Sequence, residues 1–288
     1  MTSKKENNKN ILKAGLYIVA TPIGNLADIT FRAIDTLKNV DLIACEDTRV
    51  SKILLDKYGI HTPTVSVHNY NEDDKISFLK SEIDSDKAIA FISDAGTPLI
   101  SDPGYKISSF LRNFGYYVTI IPGPSAPIAG LVLSGFPTDR FMFIGFAPTK
   151  TNEKINFFNE IKDERATVIF FESPNRILDT LTILDKIFGD RKISFAREIT
   201  KIYEQVCSGS AKELKSYFSE NPPKGEFVGL IYPSTKNKFE IDEEKIKNML
   251  KFLLEKMSLK DASGFLSLAF DISKKMIYNL GLEIKKEG

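Results

Sequence analysis

Residues Phe91 to Gly104 read FISDAGTPLISDPG. The apolar run Ala88–Ile92 stops there, and Ser, Asp, Gly, Thr and Pro crowd the residues that follow, with SDxG nearly repeated as SDPG. A short continuous apolar run bounded by turn residues is the pattern of a strand buried on both faces. Beyond its end, glycine lets the backbone approach a ligand closely and proline fixes the turn. Two other runs end in the same way, Val19-Ala-Thr-Pro-Ile-Gly-Asn25 and Ile121-Pro-Gly-Pro-Ser-Ala126. Turn formation alone explains any one of these loops. Three of them, after three strands, point to a binding site, because open α/β sheets take ligands beyond the carboxyl ends of their strands.

Working outward, apolar runs alternate with helical patterns. Strands are predicted at Leu16–Ala20, Leu42–Cys45, Ala88–Ile92 and Val118–Ile121, with helices at Thr30–Leu37, Val50–Tyr58 and Tyr105–Asn113. Phe31, Ile34 and Leu37 are expected on one buried face. This is the pattern of a parallel sheet covered on both sides. A second, more aromatic series has strands at Phe141–Gly145, Val168–Phe171, Ile193–Ala196 and Phe227–Tyr232 and helices at Asn152–Lys162, Arg176–Phe188 and Ala211–Ser219, with Gly123–Gly135 as the helical bridge. Its strands are expected to be mixed in direction. After Pro233 a polar linker, Ser234–Glu240, leads to three short helices, Glu243–Met257, Leu259–Ala269 and Ser273–Ile284. Ser258 and Ser273 read as their caps. The expected division is a disordered tail at 1–13, α/β domains at 14–122 and 123–233, and a helical domain at 241–286.

The 288 residues carry a net charge of +1, so no global excess of positive charge marks a nucleic-acid binder. No apolar run reaches the ~20 residues of a membrane span, and the polar start MTSKKENNKN lacks a signal-peptide core. Cys45 and Cys207 stand apart without a CxxC partner, which suits a reducing compartment. With His61 and His68 as the two histidines, no metal is expected. Neither GxxxxGK[ST] nor a GxGxxG after the first strand is present, so phosphate cradling of either kind is disfavoured. Asp94 and Asp102 would repel phosphate; they suit an ammonium or sulfonium ligand.

The segments VATPIGNLADITFRAIDTLKNVDLIACEDTR, FISDAGTPLISDPG, IPGPSAPIAGLVLSGFPTDRFMFIGFAP, FFESPNRI, REITKIYEQVCSG and KGEFVGLIY carry a specific resemblance. From Gly15 to Tyr232 the chain resembles the tetrapyrrole methylase superfamily and, within it, the ribosomal small subunit methyltransferase I family of 16S rRNA (cytidine-2′-O)-methyltransferases. Phe136 and Gly229 depart from the family's usual apolar choices. The C-terminal helices resemble, less sharply, its small helix-turn-helix-like tail.

The resemblance implies two α/β domains with S-adenosyl-L-methionine in the cleft between them. Asp94, Ala95, Gly96, Thr97, Pro98, Leu99 and Ile100 would line one wall, joined by Pro22 and Gly24. Ser125 and Ala126 would meet the methionine end. Phe171, Glu172 and Ser173, with Pro223, Lys224 and Gly225, would border the adenosine, and Ser101–Gly104 would shape the floor. It also implies a cytidine in the decoding region of 16S rRNA within the 30S subunit as acceptor, a cytoplasmic enzyme, and a homodimer, to which the apolar SGFPTDRFMFIGF would contribute.

Around the acceptor, helix capping and chemistry compete for Cys45–Arg49. Asp47 or Thr48 caps a helix, or Arg49 meets RNA phosphate with Glu46 or Asp47 near the ribose. Glu46, Asp47, Arg49 and Glu198 are the catalytic candidates, with the base unassigned. His68, Asn69, Arg197 and Lys201, with Lys260, Lys274 and Lys275 of the tail, are candidate RNA contacts. The alternatives are a C-methyltransferase acting on a tetrapyrrole, a non-enzymatic RNA-binding assembly factor, and a nicotinamide oxidoreductase, which the missing fingerprint disfavours.

Overall fold

Strand β1 (Gly15–Val19) is apolar and buried along its whole length, as is β4 (Ala88–Ile92) beside it. The structure, a computed structural model, describes residues 12–68, 70–235, 243–270 and 272–287. Between these two strands the chain runs through α1 (Phe31–Asn39), β2 (Leu42–Cys45), α2 (Thr48–Lys57), β3 (Thr64–Ser66) and α3 (Glu72–Asp84). After β4 come α4 (Tyr105–Asn113) and β5 (Val118–Ile121). The five strands form a parallel sheet in the order β3-β2-β4-β1-β5, with Leu16 opposite both Ile89 and Val118.

That order dictates the faces. The connection from β1 moves toward β2, whereas the connection from β4 moves the other way, to β5. Right-handed crossovers then place the two sets of helices on opposite sides. Ala33 and Leu37 of α1 and Leu54 and Leu55 of α2 pack with Val19, Cys45 and Ile92 on one side. Leu79 and Ile83 of α3 and Ile107 and Leu111 of α4 pack with Leu16, Ile18 and Phe91 on the other. The loops leaving adjacent β1 and β4 therefore part, and a crevice opens between them. FISDAGTPLISDPG leaves β4 into that crevice.

Through α5 (Ala126–Ser134) the chain enters a second sheet: β6 (Phe141–Phe146), α6 (Thr151–Glu160), β7 (Thr167–Glu172), α7 (Ile177–Phe188), β8 (Ile193–Arg197), β9 (Gln205–Gly209), α8 (Ala211–Glu220) and β10 (Phe227–Ile231). Its order is β6-β7-β10-β8-β9, parallel between β6 and β7 and antiparallel elsewhere, the mixed directions expected. Phe158, Phe170, Phe195 and Phe218 fill its core in edge-to-face contacts.

The contacts divide the chain after Pro233. In the second unit, α9 (Glu243–Leu254), α10 (Leu259–Phe270) and α11 (Lys274–Glu287) share a core of Ile246, Leu250, Leu266 and Ile277. Ser258 caps α10 as expected, its Oγ accepting from the Asp261 amide at 3.2 Å. Among the described residues no helix is long and apolar enough to cross a membrane.

One local expectation needs correction. Phe31 is 93% exposed, not on the buried face; Thr30 caps α1 by accepting from the Ala33 amide at 3.1 Å, and the buried stripe is Ala33, Thr36 and Leu37. Helix α3 and strands β3 and β9 carry too little apolar periodicity to stand out. Helix α3 earns its place partly through Glu72, buried and accepting the Lys106 and Ile107 amides at 2.8 and 3.2 Å. Those amides open α4, whose cap is Gly104 and has no side chain to offer.

Candidate active site

A cavity of about 370 Å³ lies where the loops after β1 and β4 and the start of α5 meet the ends of β6, β7 and β8 and the start of β10. Eleven of the residues expected around the donor line it. Asp94, Ala95, Gly96, Thr97 and Ile100 form the wall from β4, and Ser125 and Ala126 come from α5. Phe171, Glu172, Ser173 and Gly225 come from the second sheet. Of the expected floor, Ser101 and Asp102 also line it, whereas Pro103 and Gly104 do not. Pro98 is buried behind the loop, Leu99 packs into the core beneath α4, and Pro223 stands outside the cavity.

The loops are held in conformations that side chains resist. Gly96 has φ +79°, and a Cβ there would stand 3.2 Å from Ile23. Leu99 and Ser101 are also left-handed, at φ 72° and 70°, and across the cleft so are Glu198 and Thr200, at 50° and 68°. Such strain persists where surrounding contacts over-determine it. Here they do: Thr21 and Gly96 form a bridge, Thr97 donates to the Pro124 carbonyl at 3.0 Å, and the Asn25 amide donates to Thr200 Oγ1 at 3.1 Å.

The electrostatics divide the carboxylates. Burial, and then Asp94, push Asp102 up to about 6. Burial also raises Asp94, and it raises Glu46 together with Asp94, Asp102 and Asp47. Asp47 differs: Arg49 grips it at 2.6 and 3.1 Å and holds it at about 2. Asp47 also caps α2 by accepting from the Arg49 amide at 2.8 Å, so the capping reading and the Arg49 pairing coexist. Glu198 lies below its usual range because Lys201, at 2.9 Å, and the Glu226 amide, at 3.0 Å, outweigh its burial. Glu172 lines the cavity, yet its carboxylate is spent inward. Lys154 at 3.3 Å, Thr180 at 2.5 Å, Arg176 at 2.7 Å and the Ser173 amide at 2.8 Å share its two oxygens.

A second cavity of about 230 Å³ adjoins the first and shares Ile23, Asp94, Ala95 and Glu226 with it. Pro22 and Gly24 lie here, with Val50, Ser51, Ile53 and Leu54 of α2 and Lys201. A Cβ at Gly24 would stand 2.6 Å from the Lys201 side chain, so glycine permits that approach.

The candidate RNA contacts fall in both units. Arg49 is exposed beside these cavities. Lys201 is tied to Glu198 and Glu226, both at 2.9 Å. His68 Nδ1 and Arg197 Nε are buried without hydrogen-bond partners. Asn69 lies outside the described residues. Lys260, Lys274 and Lys275 are exposed on the C-terminal unit. Among the described residues no group of three or more His, Cys, Asp or Glu is arranged to hold a metal ion.

Sequence reading missed Phe146, Ile199 and Val228 in the first cavity and the α2 face in the second one. The first three look like strand interior or its continuation. What marks them is tertiary: Phe146 is 58% exposed at a strand end, and its ring lies 5.0 Å from that of Phe171.

Residues 15–215 match the family described as Tetrapyrrole (Corrin/Porphyrin) Methylases. The chain is 44% identical over 275 residues to the ribosomal RNA small subunit methyltransferase I of Rickettsia prowazekii (strain Madrid E), covering 94% of this chain and 97% of that protein. Its counterpart in Haemophilus influenzae (strain ATCC 51907 / DSM 11121 / KW20 / Rd) is 42% identical over 272 residues, 93% of this chain and 96% of that one. Among solved structures, cobalt precorrin-4 methyltransferase, a cobalamin biosynthetic enzyme, superposes with TM-score 0.56 at 17% identity, over 75% of this chain and 94% of that one. Diphthine synthase does so with TM-score 0.57 at 16% identity, over 79% and 92%. These two likenesses concern the fold.

Proposed function

The chain belongs to the tetrapyrrole methylase family and, within it, to the ribosomal RNA small subunit methyltransferase I family, and on that premise we propose that it methylates the 2′-oxygen of a cytidine in the decoding region of 16S rRNA within the 30S subunit. The broader statement is plain: it is an S-adenosylmethionine-dependent rRNA methyltransferase. The observation that carries the donor assignment is the cavity at the crevice between β1 and β4, where Asp94 and the half-buried Asp102 stand beside a cradle floored by Gly96. That chemistry fits a sulfonium: cationic, with apolar and hydroxyl parts to seat against Phe171, Val228 and Ser125.

When bound, S-adenosylmethionine supplies an electrophilic methyl on a sulfonium that departs as a neutral thioether. The protein's part is placement, which contributes ~10⁵ M or more in effective concentration, and proton removal. Of the three candidate bases, Asp47 is held at about 2 by Arg49 and Glu198 is lowered by Lys201, so both are weak proton acceptors. Glu46 lines neither cavity, but it precedes Asp47, whose amide is held by Asp94 on the wall of both, and it is raised by burial and three neighbouring carboxylates. We assign it the ribose proton, to be taken as the new C–O bond forms. A tetrapyrrole acceptor calls for a wide apolar pocket, whereas the adjoining cavity is about 230 Å³ and carries Lys201 and Glu226.

A net charge of +1 lacks the excess that drives binding to bare RNA. The reading therefore takes the folded particle as substrate, with Arg49 on phosphate, the C-terminal helices as docking element, and a cytoplasmic setting. A homodimer fits the exposed Ile128, Val132 and Leu133 of α5 and Phe141 of β6; light scattering at micromolar concentration tests it. Mass spectrometry of 16S rRNA nucleosides from a strain lacking the protein tests the reaction. Loss of one 2′-O-methylcytidine is expected, and methyl label on the cytosine ring would refute the assignment.

A further inference from the structure

We propose that the cavity walled by α2 receives the base of the acceptor nucleotide, extruded from its strand. The inference rests on the rRNA-methyltransferase reading and locates its second substrate. Methyl transfer is an in-line displacement, so the acceptor oxygen must reach the donor's methyl directly. The nucleotide that carries it has to occupy space sharing a wall with the donor cavity. The α2 cavity does so through Ile23, Asp94, Ala95 and Glu226.

Its lining suits a flat heterocycle. Val50, Ile53 and Leu54 recur at i, i+3 and i+4, one face of α2, opposite Ile23 and Leu26. Val50 and Ile53 remain 41% and 64% exposed, apolar surface left uncovered beside a reaction centre. Ser51 sits among them, 4% exposed, with the Cys45 thiol as its polar neighbour. That thiol also donates to the Val65 carbonyl, 3.7 Å away, which leaves the Ser51 hydroxyl a weak sulfur partner. A base edge entering this slot supplies a stronger one, as flipped bases are read on their Watson–Crick edge between apolar side chains. Charge agrees: Lys201 lies at the cavity, and Arg49, one residue before Val50, is exposed for the phosphate.

The test uses the full-length protein with 30S particles from an unmethylated strain. Val50→Trp fills the slot, and Ile53→Trp obstructs it from a more exposed position. Lys57→Trp, on the same helix and away from the cavity, is the control. Both slot variants should keep the donor affinity measured by calorimetry and lose about a hundredfold in transfer rate, while Lys57→Trp transfers normally. Ser51→Ala should lose about tenfold in kcat/KM. A benzophenone amino acid at position 53 should crosslink to the methylated nucleotide. Wild-type transfer rates in Val50→Trp and Ile53→Trp would overturn the proposal. So would loss of donor affinity in both at an unchanged melting temperature, or a crosslink to a distant nucleotide. The crosslink needs no turnover. A wild type that binds donor but methylates no rRNA would sink the reaction, while the crosslink would still decide what the slot holds.

Discussion

The main-chain amide of Asp47 donates to the carboxylate of Asp94 at 3.1 Å. One hydrogen bond thereby joins the loop after β2 to the loop after β4 and fixes the carboxylate that both cavities share. Asp94→Asn retains an acceptor oxygen and removes the charge. The expected outcome is a nearly unchanged melting temperature with donor affinity lowered about tenfold by calorimetry, the loss of roughly one ion–charge contact. Unchanged affinity would mean that Asp94 does not face the sulfonium.

Asp102, raised from 3.8 to about 6, gives a pH signature. Between those values the folded protein holds a proton that the unfolded chain has released. Its contribution to stability therefore falls as pH rises and is fully lost above about 6. Solvent screening limits the effect to about 1 kcal/mol. Asp102→Asn should erase that slope in denaturant titrations. Donor affinity should run the other way, tightening as the carboxylate ionises through about pH 6 and staying flat in the variant.

Gly96→Val should abolish measurable donor binding and also cost about 1–2 kcal/mol of stability, because a branched side chain is placed at φ +79° against Ile23. Calorimetry and chemical denaturation on one sample separate the two effects. A variant that binds donor normally would show that the loop does not cradle it.

Lys154 and Glu172 are each 2% exposed and paired at 3.3 Å. Lys154→Met leaves Glu172 with Arg176 and Thr180 but without its buried cation, and should cost about 3–5 kcal/mol. Adding Glu172→Gln should restore part of that. If the double variant is less stable than Lys154→Met, the pair is not the source of the loss.

How much of this was legible follows from where the information lay. Strands such as Ala88–Ile92 and Ile193–Ala196 are apolar and bounded by turn residues, so both sheets could be read from pattern. Strand β9 could not: QVCSG alternates half-buried and exposed residues at a sheet edge. Helix α3, EDDKISFLKSEID, hides because a carboxylate, Glu72, is among its buried residues. In the site, Asp94, Gly96 and Gly225 were legible because loops announce themselves in Gly, Pro and Asp. Val50, Ser51 and Ile53 were not, since a helix face that lines a slot has the same spelling as one that lines a core. The destination of the Glu172 carboxylate was likewise invisible, as Lys154 and Thr180 approach it from other helices.

The strand order has a consequence for the growing chain. The interior strand β1 is synthesised first, and both its neighbours come late: Leu16 pairs with Ile89 and with Val118. At translation rates of about 5–20 residues per second, the segment GLYIV waits several seconds with neither edge satisfied. The sheet therefore joins up only when β4 enters between β2 and β1, and β5 completes it at the edge beside β1. A nascent chain stalled before Ala88 presents an open apolar strand to chaperones, and one stalled between Ile92 and Val118 has β1 paired on one side only.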